Sequence, residues 1–138
     1  MEIATPSLVC DPKHLAPMDS FMLYNSDINS FHQYERPEEF TEVMNYLQQY
    51  ERPLLRTEYM ARGNESTFKD ILPIMKENNI GAYNWGFVVG KSQTIYPWDS
   101  WKKTYTAEPE LSFHDIFRAD GEPFRQAEVD LIKQLTSD

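Results

Sequence analysis

The sequence predicts an α/β domain built from parallel βα units. Three observations carry this reading. Short runs of β-formers occur at 27–34, 53–58 and 82–89, amphipathic helical stripes lie between them, and the strands recur roughly every 25 to 28 residues. Strands alternating with helices at this spacing pair in parallel through right-handed crossovers, so their C-terminal ends share one face. Sites gather on that face.

Each element has a local reason. Ile28, Phe31 and Tyr34 are the bulky β-formers of the first strand. Pro37-Glu38-Glu39 opens a helix, because proline suits the first turn and acids suit its dipole. Phe40, Val43, Met44, Leu47 and Tyr50 then follow at helical spacing. After the second strand, Thr67-x-x-Asp70 resembles a capping box and starts a helix with Phe68, Ile71, Leu72 and Met75 on one stripe. Pro73 lies inside that stripe and is expected to bend it. Asn78-Asn79-Ile80-Gly81 stops the helix ahead of the third strand. Residues 90–110 form a long aromatic loop, 111–117 a helical turn, and 123–135 a last amphipathic helix carrying Val129, Ile132 and Leu135. Ahead of all this, 3–9 has the makings of a short strand weakened by Pro6, and 11–19, with Pro12 and Pro17, reads as loop. Residues 1–26 are therefore the least readable segment and 27–138 the readable domain.

Composition bounds the function. The 138 residues suit one domain, and 41% apolar residues with 8 Phe, 8 Tyr and 3 Trp suffice for a core. With 13 basic against 22 acidic residues the net charge is −9, which disfavours nucleic acid and anionic membrane surfaces. Cys10 is the single cysteine, so no intrachain disulfide forms. No apolar run approaches the roughly twenty residues needed to span a bilayer. Met1 to Pro12 lack the basic start and apolar stretch of a signal peptide, and the location stays unknown, cytoplasmic only by default.

The polar residues near the shared face suggest a sugar site. His32 and Tyr34 are two apart on a strand and so point the same way. Glu58 closes the second strand, and Trp85 lies within the third. A carboxylate supplies nucleophilic or proton-transfer chemistry, and a tryptophan face stacks on a pyranose ring. Plainer readings stand beside this one. Glu58 sits between Arg56 and Arg62 and equally suits a surface ion pair; His32, Tyr34 and Trp85 equally suit core packing. Tyr96, Trp98, Trp101 and Tyr105 crowd one loop, and large rings outside regular elements often mark a binding surface. Zinc is disfavoured because His14, His32 and His114 lack ligand spacing. Gly86-x-x-x-Gly90-Lys91-Ser92 is one residue short of a phosphate loop. Cys10 with His14 is only a weak nucleophile–base pair.

Taken together, Ser30-Phe31-His32-Gln33-Tyr34, then Arg56-Thr57-Glu58-Tyr59-Met60-Ala61-Arg62, then Gly81-Ala82-Tyr83-Asn84-Trp85-Gly86-Phe87-Val88 with the Trp98 and Trp101 loop behind it, resemble a known pattern. It is that of retaining glycoside hydrolases with a (β/α)8 barrel, namely glycoside hydrolase family 5 and its cellulase and 1,4-β-xylanase relatives. The resemblance implies that this chain supplies the sixth, seventh and eighth strands, with a vestige of the fifth in 1–26. It implies that Glu58 is the catalytic nucleophile, that Tyr34 aims that carboxylate at the anomeric carbon, and that His32 lines the cleft. Trp85 would floor the subsite of the attached sugar, and Trp98 and Trp101 would be stacking platforms. Neither a cofactor nor a metal is called for.

Retaining chemistry needs a second carboxylate about 5 Å from the first. In this family it follows an Asn on the fourth strand, and the one Asn-Glu pair here, Asn64-Glu65, comes after Glu58 instead. A (β/α)8 barrel takes about 250 residues. The expectation is therefore a partial barrel whose partner is a β-linked carbohydrate. Alone it would be inactive or act as a non-catalytic carbohydrate-binding module. It would also self-associate or pair with a complementary N-terminal half.

Overall fold

The computed structural model describes residues 15–137. Its elements run α1 (Pro17–Asn25), β1 (Asn29–His32), α2 (Pro37–Gln48), β2 (Leu54–Glu58), α3 (Phe68–Glu77), β3 (Gly81–Ala82) and α4 (Gln126–Thr136). Short 3-10 turns lie at Arg62–Asn64 and Trp98–Trp101. The strands form one parallel sheet in the order β1-β2-β3. Mixed α/β architecture with parallel βα alternation is thus present. The strand expected at 3–9 lies outside the described residues.

α1 corrects the loop reading at 17–19; residues 11–14 of that reading lie outside the described residues. Pro17 sits at the first helical position, where its missing N–H costs nothing, and the Asp19 carboxylate accepts the Ala16 N–H at 2.8 Å. In β1 and β2 the register pairs Phe31 with Arg56, and both meet Phe40 of α2. The Phe31 and Phe40 rings are 6.4 Å apart, and the Arg56 guanidinium lies 4.0 Å above the Phe40 ring. This face of the sheet is covered by α2. By the two-residue alternation His32, Leu55 and Thr57 lie on the other face, and they stay partly exposed.

Helix α2 buries Phe40, Val43, Met44 and Leu47, the stripe expected from its spacing. Helix α3 buries Phe68, Ile71 and Met75 and runs on through Pro73. The Thr67 hydroxyl donates to the Asp70 carboxylate at 2.5 Å, a side-chain pair in place of the reciprocal capping box. At its other end Asn79 takes a left-handed φ of 53°, the Ile80 N–H donates to the Met75 carbonyl at 2.9 Å, and the Asn79 N–H to that of Lys76 at 3.3 Å. This is a Schellman ending, and it delivers the chain into β3. Helix α4 packs on α3 through the buried Val129.

Two expectations are corrected at the third strand and after it. β3 is confined to Gly81–Ala82, not 82–89. Gly86 takes φ 109°, where only glycine is unstrained, and the Asn84 amide donates to the carbonyls of Gly86 and His114, so the extended run breaks. Past the break, Val88 bridges Phe117, and the Phe87 carbonyl accepts both Ile116 and Phe117 N–H groups. Consequently 111–117 is not a helical turn but an irregular run of bends, with Ser112 through Ile116 out of solvent.

Arg62 holds that segment. Its buried guanidinium donates to the Ser112 carbonyl at 2.6 Å, the Asp115 carbonyl at 3.0 Å, and both carboxylate oxygens of Glu128 on α4 at 2.5 and 3.0 Å. Removing one partner of a buried pair strands the other charge, at a cost of about 3–5 kcal/mol. Arg62→Ala is accordingly expected to lower unfolding stability by that amount in urea titrations. A loss below about 1 kcal/mol, the range of a surface pair, would contradict this role.

Candidate functional site

Tyr34 lies two residues past the end of β1, and Glu58 closes β2. Parallel pairing brings these ends together: His32 is the register partner of Glu58, and the Gln33 N–H donates to the Glu58 carbonyl at 3.1 Å. The Tyr34 hydroxyl then donates to the Glu58 carboxylate. Burial first, and this bond second, push the Tyr34 phenol well above its usual range, so it stays a protonated donor.

An aromatic wall stands around this pair. The Tyr34 ring meets Trp98 edge-on at 5.3 Å and His114 at 5.3 Å; Trp98 meets Phe113 at 5.2 Å and His114 at 6.1 Å. Edge-to-face pairs of this kind hold rings in fixed positions. Phe113 reaches the wall because position 63 is glycine. A Cβ there would stand 2.3 Å from the Phe113 ring. Backbone bonds from Phe113 to Ile95 at 2.8 Å and from His114 to Thr94 at 3.2 Å fasten the wall to the 90–110 loop.

His114 is only 3% exposed, and its Nδ1 lies 2.6 Å from the Met60 carbonyl. A carbonyl can only accept, so Nδ1 carries the proton and Nε2 of the neutral ring keeps its lone pair. Burial pulls the His114 pKa down, although Met60, Asp115 and Glu58 pull the other way. Beneath the site, Arg56 donates to the Gln33 carbonyl at 2.5 Å while its Nε and Nη1 have no partner. Burial brings this guanidinium down to about 9.

Of the residues expected from sequence, Glu58, Tyr34 and Trp98 converge. His32 holds its register place beside Glu58, but its side chain makes no hydrogen bond or ring contact among the described residues. Trp85 is 51% exposed and Trp101 85% exposed, and neither ring contacts the wall. The ion-pair reading of Glu58 is corrected, since Arg56 turns under the sheet and Arg62 pairs with Glu128. His114 and Phe113 were missed as wall residues. Reading 111–117 as a helical turn hid them; a His-Asp pair inside an apolar run was the available signal.

Among the described residues there is no cluster of three or more metal-ligating side chains, and no helix is long and apolar enough to cross a membrane. Comparison with protein-family models, curated proteins and solved structures found no match to the chain.

The depressed His114 pKa has a stability consequence. Below the unfolded value near 6.5 the unfolded chain takes up the proton first, so this group's contribution is intact above about pH 6.5 and falls as pH drops. The native chain is expected to lose stability against His114→Asn between pH 7.5 and 5 in urea midpoints. Parallel curves would contradict it.

Proposed function

We propose that the chain carries the nucleophile side of a retaining β-glycosidase site, set on C-terminal strands of a (β/α)8 barrel. The observation that carries this reading is the Tyr34–Glu58 hydrogen bond at the C-terminal ends of adjacent parallel strands. A retaining nucleophile must present one carboxylate oxygen to the anomeric carbon in a fixed direction. A phenol that stays protonated and donates to the other oxygen does this. The series of α1, α2 and α3, each preceding a parallel strand, also suits a barrel, as does the partly exposed face carrying His32, Leu55 and Thr57.

In this reading Glu58 attacks C1 of a β-linked sugar as the C1–O bond breaks, and Trp98, 37% exposed beside Tyr34, stacks on the sugar ring. The leaving oxygen needs a proton from a second carboxyl group, a contribution of roughly 10²–10⁴-fold. This stretch offers no Asn-Glu pair at the expected place. The 138-residue chain by itself is therefore a binder that does not turn over. A purely non-catalytic binding module is the second reading, favoured by the exposed faces of Trp85 and Trp101. As partners, the edges of β1 and β3 and the exposed Met18, Phe21 and Tyr24 on α1 suit self-association or pairing with further strands.

Cellohexaose and xylohexaose titrations, followed by tryptophan fluorescence and product chromatography, test this. At least one sugar is expected to bind without shortening, to bind roughly tenfold more weakly to Trp98→Ala, and to bind normally to Glu58→Gln. Absence of binding would sink the proposal, as would turnover that survives Glu58→Gln. Sedimentation of the same samples is expected to show association; a monodisperse monomer would overturn that part.

A further inference from the structure

We infer that His114 is the hydrogen-bond acceptor of this site, its Nε2 receiving a hydroxyl of the bound sugar; the inference rests on the glycan reading above. Three observations meet at this ring. The Met60 carbonyl fixes the proton on Nδ1, so Nε2 can only accept. Nε2 has no partner among the described residues, and it is not one of the sealed, unpartnered polar atoms, so it keeps contact with solvent. The ring also packs against both Tyr34, which holds Glu58, and Trp98, the proposed platform.

The ring is held from behind as well. Arg62 takes the carbonyls on either side of it, at Ser112 and Asp115, the Asn84 amide donates to its own carbonyl at 3.0 Å, and the Thr94 hydroxyl donates to Asp115 at 2.8 Å. An acceptor fixed before the ligand arrives loses little freedom on binding. A sugar ring stacked on Trp98 offers hydroxyl donors at its rim, and apart from the Glu58 carboxylate, reserved for C1 in this reading, the ring that meets Tyr34 beside His114 is Trp98, which has no acceptor.

The test uses the full chain and whichever of cellohexaose and xylohexaose it binds. His114→Asn keeps a donor toward Met60 but leaves nothing at the Nε2 position, whereas His114→Gln can bring an amide oxygen there. Binding is expected to weaken roughly three- to tenfold in the Asn variant and to recover in part in the Gln variant. Long-range proton–nitrogen spectra of the native chain give a readout that needs no variant to fold. On saturation with that hexasaccharide the His114 Nε2 resonance should shift toward its hydrogen-bonded value while Nδ1 stays protonated. Binding with Nε2 unmoved, or equal affinity in a folded Asn variant, would overturn this inference alone. No binding of either hexasaccharide by the native chain would overturn the glycan reading and this inference together.

Discussion

The buried Arg62–Glu128 pair is the constraint on which the site side of the molecule depends. Arg62 leaves the sheet four residues after Glu58, so its guanidinium fixes where the chain goes after the strand end. One planar fork satisfies the carboxylate of Glu128 on α4 and the carbonyls of Ser112 and Asp115 at once. A buried charge needs this density of partners, and Arg geometry supplies it. Because Ser112 and Asp115 flank Phe113 and His114, the same fork sets the aromatic wall facing Tyr34. Stability and site geometry therefore share one residue that touches neither Tyr34 nor Glu58.

Arg56 makes the contrast instructive. It is as buried as Arg62, yet it has one carbonyl partner and lies flat on Phe40. Stacking on a ring offsets part of the desolvation cost, and the rest shows in its lowered pKa. Beside it the Asn29 side chain and the Ser30 hydroxyl are also sealed without partners. Unsatisfied polar groups thus collect on β1 and β2 just below the Tyr34–Glu58 contact, where a purely structural sheet would carry aliphatic residues. Local inconsistency of this kind concentrates where a fold is shaped by something other than stability.

The legible parts of this fold were those written in short-range periodicity. The stripe of Phe40, Val43, Met44 and Leu47, the stop at Asn79, and the strand ending in Glu58 all follow from spacing and backbone preference. Glu58 and Tyr34 are legible because strand ends of a parallel sheet converge, and Trp98 because large rings crowd one loop. What was hidden depended on contacts distant in sequence. Asn84 breaks the third strand by donating to His114 thirty residues on, and no local signal announces that. Residues 111–117 read locally as a helical turn, and the bonds from Arg62 to the Ser112 and Asp115 carbonyls hold them as a run of bends instead. Pro17 looked like a loop former because its position within a helix, not its identity, determines its effect.

The proposal that Glu58 is a glycosidase nucleophile, without an acid partner in this stretch, has a direct chemical test. Mass spectrometry of the chain treated with 2,4-dinitrophenyl 2-deoxy-2-fluoro-β-cellobioside tests it most directly. Dinitrophenolate leaves without protonation, so the missing acid is not needed, and the fluorine slows hydrolysis of the glycosyl–enzyme. The account predicts one fluorocellobiosyl group per chain, joined through C1 to the Glu58 carboxylate and absent in Glu58→Gln. No adduct, or an adduct on another residue that persists in Glu58→Gln, would contradict it.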